Sequence, residues 1–264
     1  MTDRLAFRRT ALNVAAPLFV AVAFVGLWYV LSATVYANKA FLLPGPVAVI
    51  KAMHRDFGTI LAATLVTFKE AFSGYAAAAL LGISAAAMMS QSRLLERSFY
   101  PYAVLMQTVP VVAVAPLIVL WFGYGETSVI IVSAIISLFP IINNTLLGLQ
   151  SASSSLVELF AMHKAGRLTA FRKLRLPGAV PNIIAGLRIS AGLSVVGAIV
   201  GEFLIGSGNS RGGLGVQIIF AQGRMDTPLL FAEVIFATFL GFGFFIAVSL
   251  VGRLLIGHWH ESAR

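Results

Sequence analysis

Six runs of roughly twenty residues with almost no charge recur along this chain, near 17–36, 71–90, 100–122, 128–149, 182–205 and 229–252. As a helix at about 1.5 Å per residue, each is long enough to cross about 30 Å of hydrocarbon. Inside a bilayer a helix satisfies its backbone amides within one segment, so no other open structure can span. The expected fold is therefore all-α, a polytopic membrane protein with six transmembrane helices. Composition agrees, because a 264-residue chain that is 59% hydrophobic and 11% charged carries more apolar surface than a soluble domain can hide. The first run follows Arg4, Arg8 and Arg9 and resembles a signal peptide, but it exceeds the usual length of such a segment and no cleavage site follows, so an uncleaved anchor is expected.

Several functions are excluded early. There is no cysteine, which removes disulfides, thiolate metal sites and a cysteine nucleophile. The net charge of +9 would suit nucleic acid, yet the basic residues lie in loops between apolar runs and form no face with interleaved aromatics. The expected partner is the lipid bilayer and not nucleic acid. Walker-type ATP binding needs a lysine directly after a glycine, and none of the lysines at 39, 51, 69, 164 and 173 has one. His258 and His260 flank a tryptophan on the tail without a third ligand, so no metal site is expected.

Those same basic residues orient the spans. Six crossings leave both termini on one side, and twelve Lys and Arg fall there: Arg4, Arg8, Arg9, Arg93, Arg97, Lys164, Arg167, Arg172, Lys173, Arg175, Arg253 and Arg264. The opposite loops hold five, namely Lys39, Lys51, Arg55, Arg211 and Arg224. Basic loops stay inside, so both termini are expected to be cytoplasmic. Outside, Val47, Ile50, Met53, Phe57 and Leu61 recur at helical spacing after Pro44 and Pro46, which predicts one short amphipathic helix. Gly74, Ala78 and Gly82 recur every four residues in the second run and either let another helix approach closely or are ordinary small residues of an Ala-rich helix. Pro110, Pro116 and Pro140 are expected to kink their helices. Gln107, Asn143 and Asn144 are amides inside spans, and either bond across helices or line a path. Glu202, near the outer end of the fifth run, either lines a path or bonds a neighbouring helix. Arg188 is expected to reach the cytoplasmic interface. The stretch Gly206–Gly215 carries five glycines, too many for a stable helix, and either dips back at the outer mouth with Leu214 among its lining residues or is a plain solvent-exposed linker.

One long polar passage interrupts the oil, from Ser153 to Pro181. Ser155 and Glu158 match the S-x-x-E capping box, which predicts a helix start. Leu156, Leu159, Phe160 and His163 then share a face, and Gly166 supplies a left-handed stop. A second short helix would carry Leu168, Phe171 and Leu174 and end at Pro177. A loop packed on its own protein with its charges in water is the plainer alternative.

The spacing of Glu158, Arg167, Phe171, Arg172, Lys173, Leu176 and Pro177, then Pro181 and "GLR" at Gly186–Arg188, resembles the EAA signature of bacterial ATP-binding-cassette importer permeases. Further likeness to the nitrate, sulfonate and taurine group runs through "LPGP" at Leu43, "VAPLIVLWFGYG" at Val114–Gly125, "FPIINNT" at Phe139–Thr145, "VGEFL" at Val200–Leu204 and "GGLG" at Gly212–Gly215. The resemblance implies a type I ABC importer permease fold: a tail, first helix and external connector over 1–62, a five-helix core over 63–254 and a cytoplasmic tail over 255–264. It also implies that the passage is a coupling helix seated on a separate ATPase, through Glu158, Leu159, Phe160, Ala161, Met162, His163, Lys164, Ala165, Gly166, Leu176 and Pro177. Phe160 and Lys164 stand where the family commonly has alanine and glycine. The implied partners are cytoplasmic ATPase subunits that bind the ATP, an external solute-binding protein and a second copy of the permease, all at a bacterial inner membrane. No cofactor and no catalytic residue belong to this chain. The implied cargo is a small anion such as nitrate, a sulfonate or taurine, or a pyrimidine vitamin precursor or riboflavin. A secondary transporter, the alternative, predicts ionisable pairs at mid-depth and an inverted repeat, and neither is visible.

Overall fold

Proline and glycine decide where these helices break, and apolar length decides which of them cross. The structure, a computed structural model, describes residues 2–37, 39, 41–206 and 212–256, with side chains within 15–255. Among the described residues every regular element is helical: α1 (Thr2–Ala33), α2 (Pro46–Arg55), α3 (Phe57–Met89), α4 (Arg93–Thr108), α5 (Val111–Phe122), α6 (Glu126–Gln150), α7 (Ser154–Met162), α8 (Arg167–Ala170), a π-helical turn (Phe171–Arg175), α9 (Leu176–Ile205), α10 (Leu214–Gly223) and α11 (Thr227–Ile256). Five segments are long and apolar enough to cross a membrane, and the bent pair α4 and α5 makes a sixth if it counts as one span.

The kink expected at Pro110 is present and sharp, since α4 and α5 meet at 101°. What the structure corrects is the start of the third run, which is helical from Arg93 and not from Tyr100. Pro110 lacks an N–H and disfavours helical backbone at Val109, which is extended at φ −70 and ψ 122. Pro116 and Pro140, by contrast, lie inside α5 and α6 without ending them. The outer connector is corrected as well. Pro46 starts α2 at a position where its missing N–H costs no bond, but the helix ends at Arg55, and Phe57 and Leu61 belong to α3. The buried face of α2 is Val49 and Ala52, while Val47 and Ile50 point outward.

The chain divides into two compact units, one formed by residues up to Ile60 with Ile218–Val234, the other by Leu61–Gln217 with residues from Ile235 onward. In the first unit Trp28 donates to the Pro44 carbonyl at 3.0 Å and stacks on Phe231 at 5.9 Å. Arg55 bridges Asp56 at 2.7 Å and Asp226 at 2.6 Å, and these hydrogen bonds, Asp56 first, raise the arginine pKa above its ordinary value. Thr227 donates to the Phe41 carbonyl at 2.7 Å.

The second unit is centred on α6 and α9, which pack along much of their length. Small residues make this possible. A methyl at Gly197 would lie 2.8 Å from the Ser133 Cα, so only glycine lets the two backbones come so close. Ser133 donates to the Ser194 carbonyl at 2.9 Å and Ser190 to the Ser137 carbonyl at 2.7 Å, which satisfies the hydroxyls where lipid and water are both absent. The Gly74, Ala78 and Gly82 row also behaves as its spacing predicts: Gly74 faces Ser133, Gly82 faces Ile141, and Ala78 is fully buried.

Candidate functional site

Three places carry the residues singled out from the sequence. The first is a cavity of about 410 Å³ at the bend between α4 and α5. Gln107, Asn143 and Asn144, scattered over two helices, all line it, together with Phe139, Met106 and Leu193. Tyr100 donates its hydroxyl to Asn143 Oδ1 at 2.8 Å, and Asn144 Nδ2 donates to the Pro140 carbonyl at 2.8 Å. Those bonds fix the two amides and leave the Asn143 NH₂ and the Asn144 carbonyl oxygen for other partners. Among the described residues no charged side chain lines the cavity. What it can offer is neutral donors and acceptors beside an aromatic wall.

The second place lies where α3 and α9 meet the start of α10. Glu202 is 2% exposed and accepts from Thr67 Oγ1 at 2.7 Å and from the Gly215 amide at 2.5 Å. Thr67 in turn accepts from the Leu214 amide at 2.8 Å. Glu70 lines the same small cavity as Glu202, and its Oε2 is buried without a partner among the described residues. Beside them a cavity of about 270 Å³ is lined by Glu70, Glu126, Glu202, Gly206, Gly212 and Gly213, with Lys69 paired to Glu126 at 2.7 Å. Of the two readings of Glu202, the structure displays the hydrogen bond to neighbouring elements: the acid supplies acceptors to the first amides of α10. Leu214 and Gly215 are correspondingly helical and not part of an irregular loop, and Leu214 is fully buried. Residues 207–211, the rest of the glycine-rich stretch, lie outside the described residues. Glu70 and Thr67 escaped the sequence reading because Glu70 follows Lys69 and looks like an ordinary charged helix end. So did Glu233, 1% exposed in α11, which no local pattern marks.

The third place is the polar passage. A helix starts there, but its cap is Ser153, whose side chain accepts from the Leu156 amide at 3.4 Å, and not Ser155. Ser153 has the extended backbone of a cap (φ −61, ψ 139), which puts Glu158 well inside α7, where it closes no capping box. The left-handed residue is Lys164 (φ 50), whereas Gly166 is extended (φ −63, ψ 155) and caps the start of α8. Nor does Pro177 end a second helix. The π turn passes the Leu176 N–H to the Phe171 carbonyl, and Pro177 then stands in the first turn of α9, where no donor is required of it. No residue of α7 is buried; Leu156 is 46% and Leu159 47% exposed, and Phe160 is half-covered. The predicted apolar face therefore lacks a cover among the described residues. His163, Ala161 and Met162 are exposed at the end of α7 and Ala165 is partly covered. His258 and His260 lie outside the described residues, and among those described no group of three His, Asp or Glu is placed to hold a metal.

The sequence model of a family described as "Binding-protein-dependent transport system inner membrane component" matches residues 78–260. The chain is 34% identical over 231 residues to the riboflavin transport system permease protein RibX of Chloroflexus aurantiacus, covering 87% of this chain and 84% of that one. It is 34% identical over 223 residues to the formylaminopyrimidine transport permease protein ThiX of Halalkalibacterium halodurans, covering 83% and 86%. With the putative aliphatic sulfonates transport permease protein SsuC of Bacillus subtilis it shares 29% identity over 226 residues, 85% of this chain and 80% of the other. A crystal structure of an amino acid ABC transporter with histidines superposes with a TM-score of 0.58 at 19% identity, covering 77% of this chain and 95% of that one, and shows the fold alone. With the family matched across 78–260 and relatives aligned over most of its length, the chain belongs to the inner membrane components of binding-protein-dependent transport systems, the permeases of ABC importers.

Proposed function

We propose that this permease carries a neutral, hydrogen-bonding aromatic heterocycle, of the riboflavin or formylaminopyrimidine kind, and not a sulfonate. The observation that carries this reading is the cavity of Gln107, Asn143 and Asn144, which has an aromatic wall at Phe139 and no cation among its lining residues. A sulfonate brings a full charge that needs a cation or several convergent donors when it leaves water. A heterocycle needs amides and an apolar face. The names of two relatives at 34% identity support the same choice.

In this reading two copies of the chain form the path, with residues 1–62 as an addition to the 63–254 core. Both termini face the cytoplasm, ATP is bound and hydrolysed by separate ATPase subunits, and a solute-binding protein delivers cargo from outside. The uncovered face of α7, with Glu158 through Gly166, seats on the ATPase, and Leu176 and Pro177 join this handle to α9. Closure of the two motors then shifts a two-state equilibrium of the path between inward and outward access.

The test is ATP-driven uptake into proteoliposomes holding the permease, its ATPase and its binding protein. Uptake of riboflavin or formylaminopyrimidine, lowered tenfold or more in Asn143→Leu with ATPase assembly unchanged, is the expected result. Uptake of alkyl sulfonates alone, or an Asn143→Leu protein transporting at the wild-type rate, would overturn the cavity assignment.

A further inference from the structure

A second, larger cavity lies between α3, α9 and α11, with a volume of about 590 Å³. Its wall is aromatic: Phe68, Phe72, Tyr75, Phe239 and Phe244 line it, with Phe244 packed 5.0 Å from Tyr75 and 5.7 Å from Phe68. Several of these residues open outward, since Phe239 is 68% and Phe72 50% exposed, so an apolar chain in the bilayer can reach the groove from the side. From Phe239 to Gly252 the α11 wall runs about 20 Å at 1.5 Å per residue. One leaflet contributes roughly half of a 30 Å hydrocarbon layer, so a single acyl chain fits along it.

The far end of the groove is different. Gly252 lines it, and the Arg188 side chain lies against Gly252, where an added methyl would meet its Nη2 at 3.2 Å. Arg188 Nη2 reaches the Ser249 carbonyl only at 3.4 Å, and its Nε is buried without a hydrogen-bond partner among the described residues. The Ser249 hydroxyl beside it is buried and unpartnered too. No carboxylate lies within ion-pair distance of Arg188 among the described residues. Unspent donors and an unneutralised guanidinium, buried beside Gly252 at the end of an apolar groove, are complementary to one kind of occupant. We propose that this groove holds an anionic phospholipid, with an acyl chain against the aromatic wall and its phosphate drawing on Arg188 and Ser249.

Gly243 makes the proposal testable, because it lines the groove and a Cβ added there meets nothing within 4 Å. The experiment titrates the delipidated full-length permease with phosphatidylglycerol, and separately with phosphatidylcholine of the same chains, and counts bound lipid by native mass spectrometry. The wild type is expected to bind one phosphatidylglycerol per chain about tenfold more tightly than phosphatidylcholine, the scale of one charge-assisted contact. Arg188→Gln should abolish that preference while chain binding persists, and Arg188→Lys should restore part of it. Gly243→Phe should block both lipids, with its thermal unfolding midpoint reporting that the fold is intact. Equal binding of the two lipids by the wild type, or a preference unchanged in Arg188→Gln, would overturn the proposal. So would a disulfide forming between copies of Gly243→Cys in membranes, since that would put a second copy of the chain in the groove.

Discussion

Glu202 shows how one side chain can hold an element in place without doing chemistry. Its carboxyl serves the Gly215 amide directly and the Leu214 amide through Thr67, so two of the first donors of α10, which helix geometry leaves without partners, are satisfied by one acid. Truncation to alanine would strand Thr67 and the Gly215 amide in a buried site, at a cost of about 1–3 kcal/mol for each buried group. Glu202→Ala is therefore expected to lower the thermal unfolding midpoint in detergent markedly, and Glu202→Gln, which keeps one acceptor, to lower it less. An alanine mutant as stable as the wild type would show that water replaces the carboxyl. Gly215→Ala tests the same contact from the other side, because its methyl would fall 2.6 Å from the Ile199 carbonyl and 2.7 Å from the Glu202 Cβ. It should be as damaging as Glu202→Ala.

The element most changed by context is the pair of short helices before α9. Backbone angles assign its strain to Lys164 and free Gly166 of it. A left-handed non-glycine residue costs roughly 1–2 kcal/mol. Lys164→Gly should thus slow local hydrogen exchange at the end of α7. Gly166→Ala, at an angle any residue adopts, should be neutral or slightly stabilising. The reverse ranking would put the left-handed turn back at Gly166. Likewise Ser153→Ala should quicken exchange of the first α7 amides about fivefold, the equivalent of a cap worth about 1 kcal/mol, while Ser155→Ala leaves them unchanged. The sequence made the helix itself legible, because its apolar spacing is local information. It misplaced both ends because Ser153 and Ser155 are each good caps, and the choice between them depends on how the chain leaves α6. The same division holds elsewhere. Runs of apolar residues announced the spans, the Gly74, Ala78 and Gly82 row announced a tight contact, and Pro110 announced a kink, but the size of that break, 101°, is not local information. Gln107, Asn143 and Asn144 could be picked out as polar residues in spans, yet their meeting in one cavity depends on that break, as the burial of Glu70 depends on its neighbours.

At the scale of the whole molecule the break raises the question of whether α4 and α5 together cross the membrane. If they do not, five crossings leave the termini on opposite sides, and every loop after Phe122 changes side. Charge decides between these topologies. Arg93 and Arg97 precede the bent pair, and Lys164, Arg167, Arg172, Lys173 and Arg175 follow α6, whereas the turn between α5 and α6, residues 123–125, has no basic residue. Retaining both basic clusters on the cytoplasmic side requires that the bent pair cross once and α6 cross back. Reporter fusions after Arg97 and after Gln150 should therefore both read cytoplasmic, and a fusion at Tyr124, 74% exposed in that turn, should read external. A fusion at Met225, 80% exposed between α10 and α11, should read external too, since α10 is only 10 residues long and cannot span. A cytoplasmic signal at Tyr124 with an external one after Gln150 would mean that α4 and α5 enter and leave by the same face. That outcome would place α7 outside, away from any ATP-driven motor, and the proposed role of Glu158 through Gly166 would fall with it.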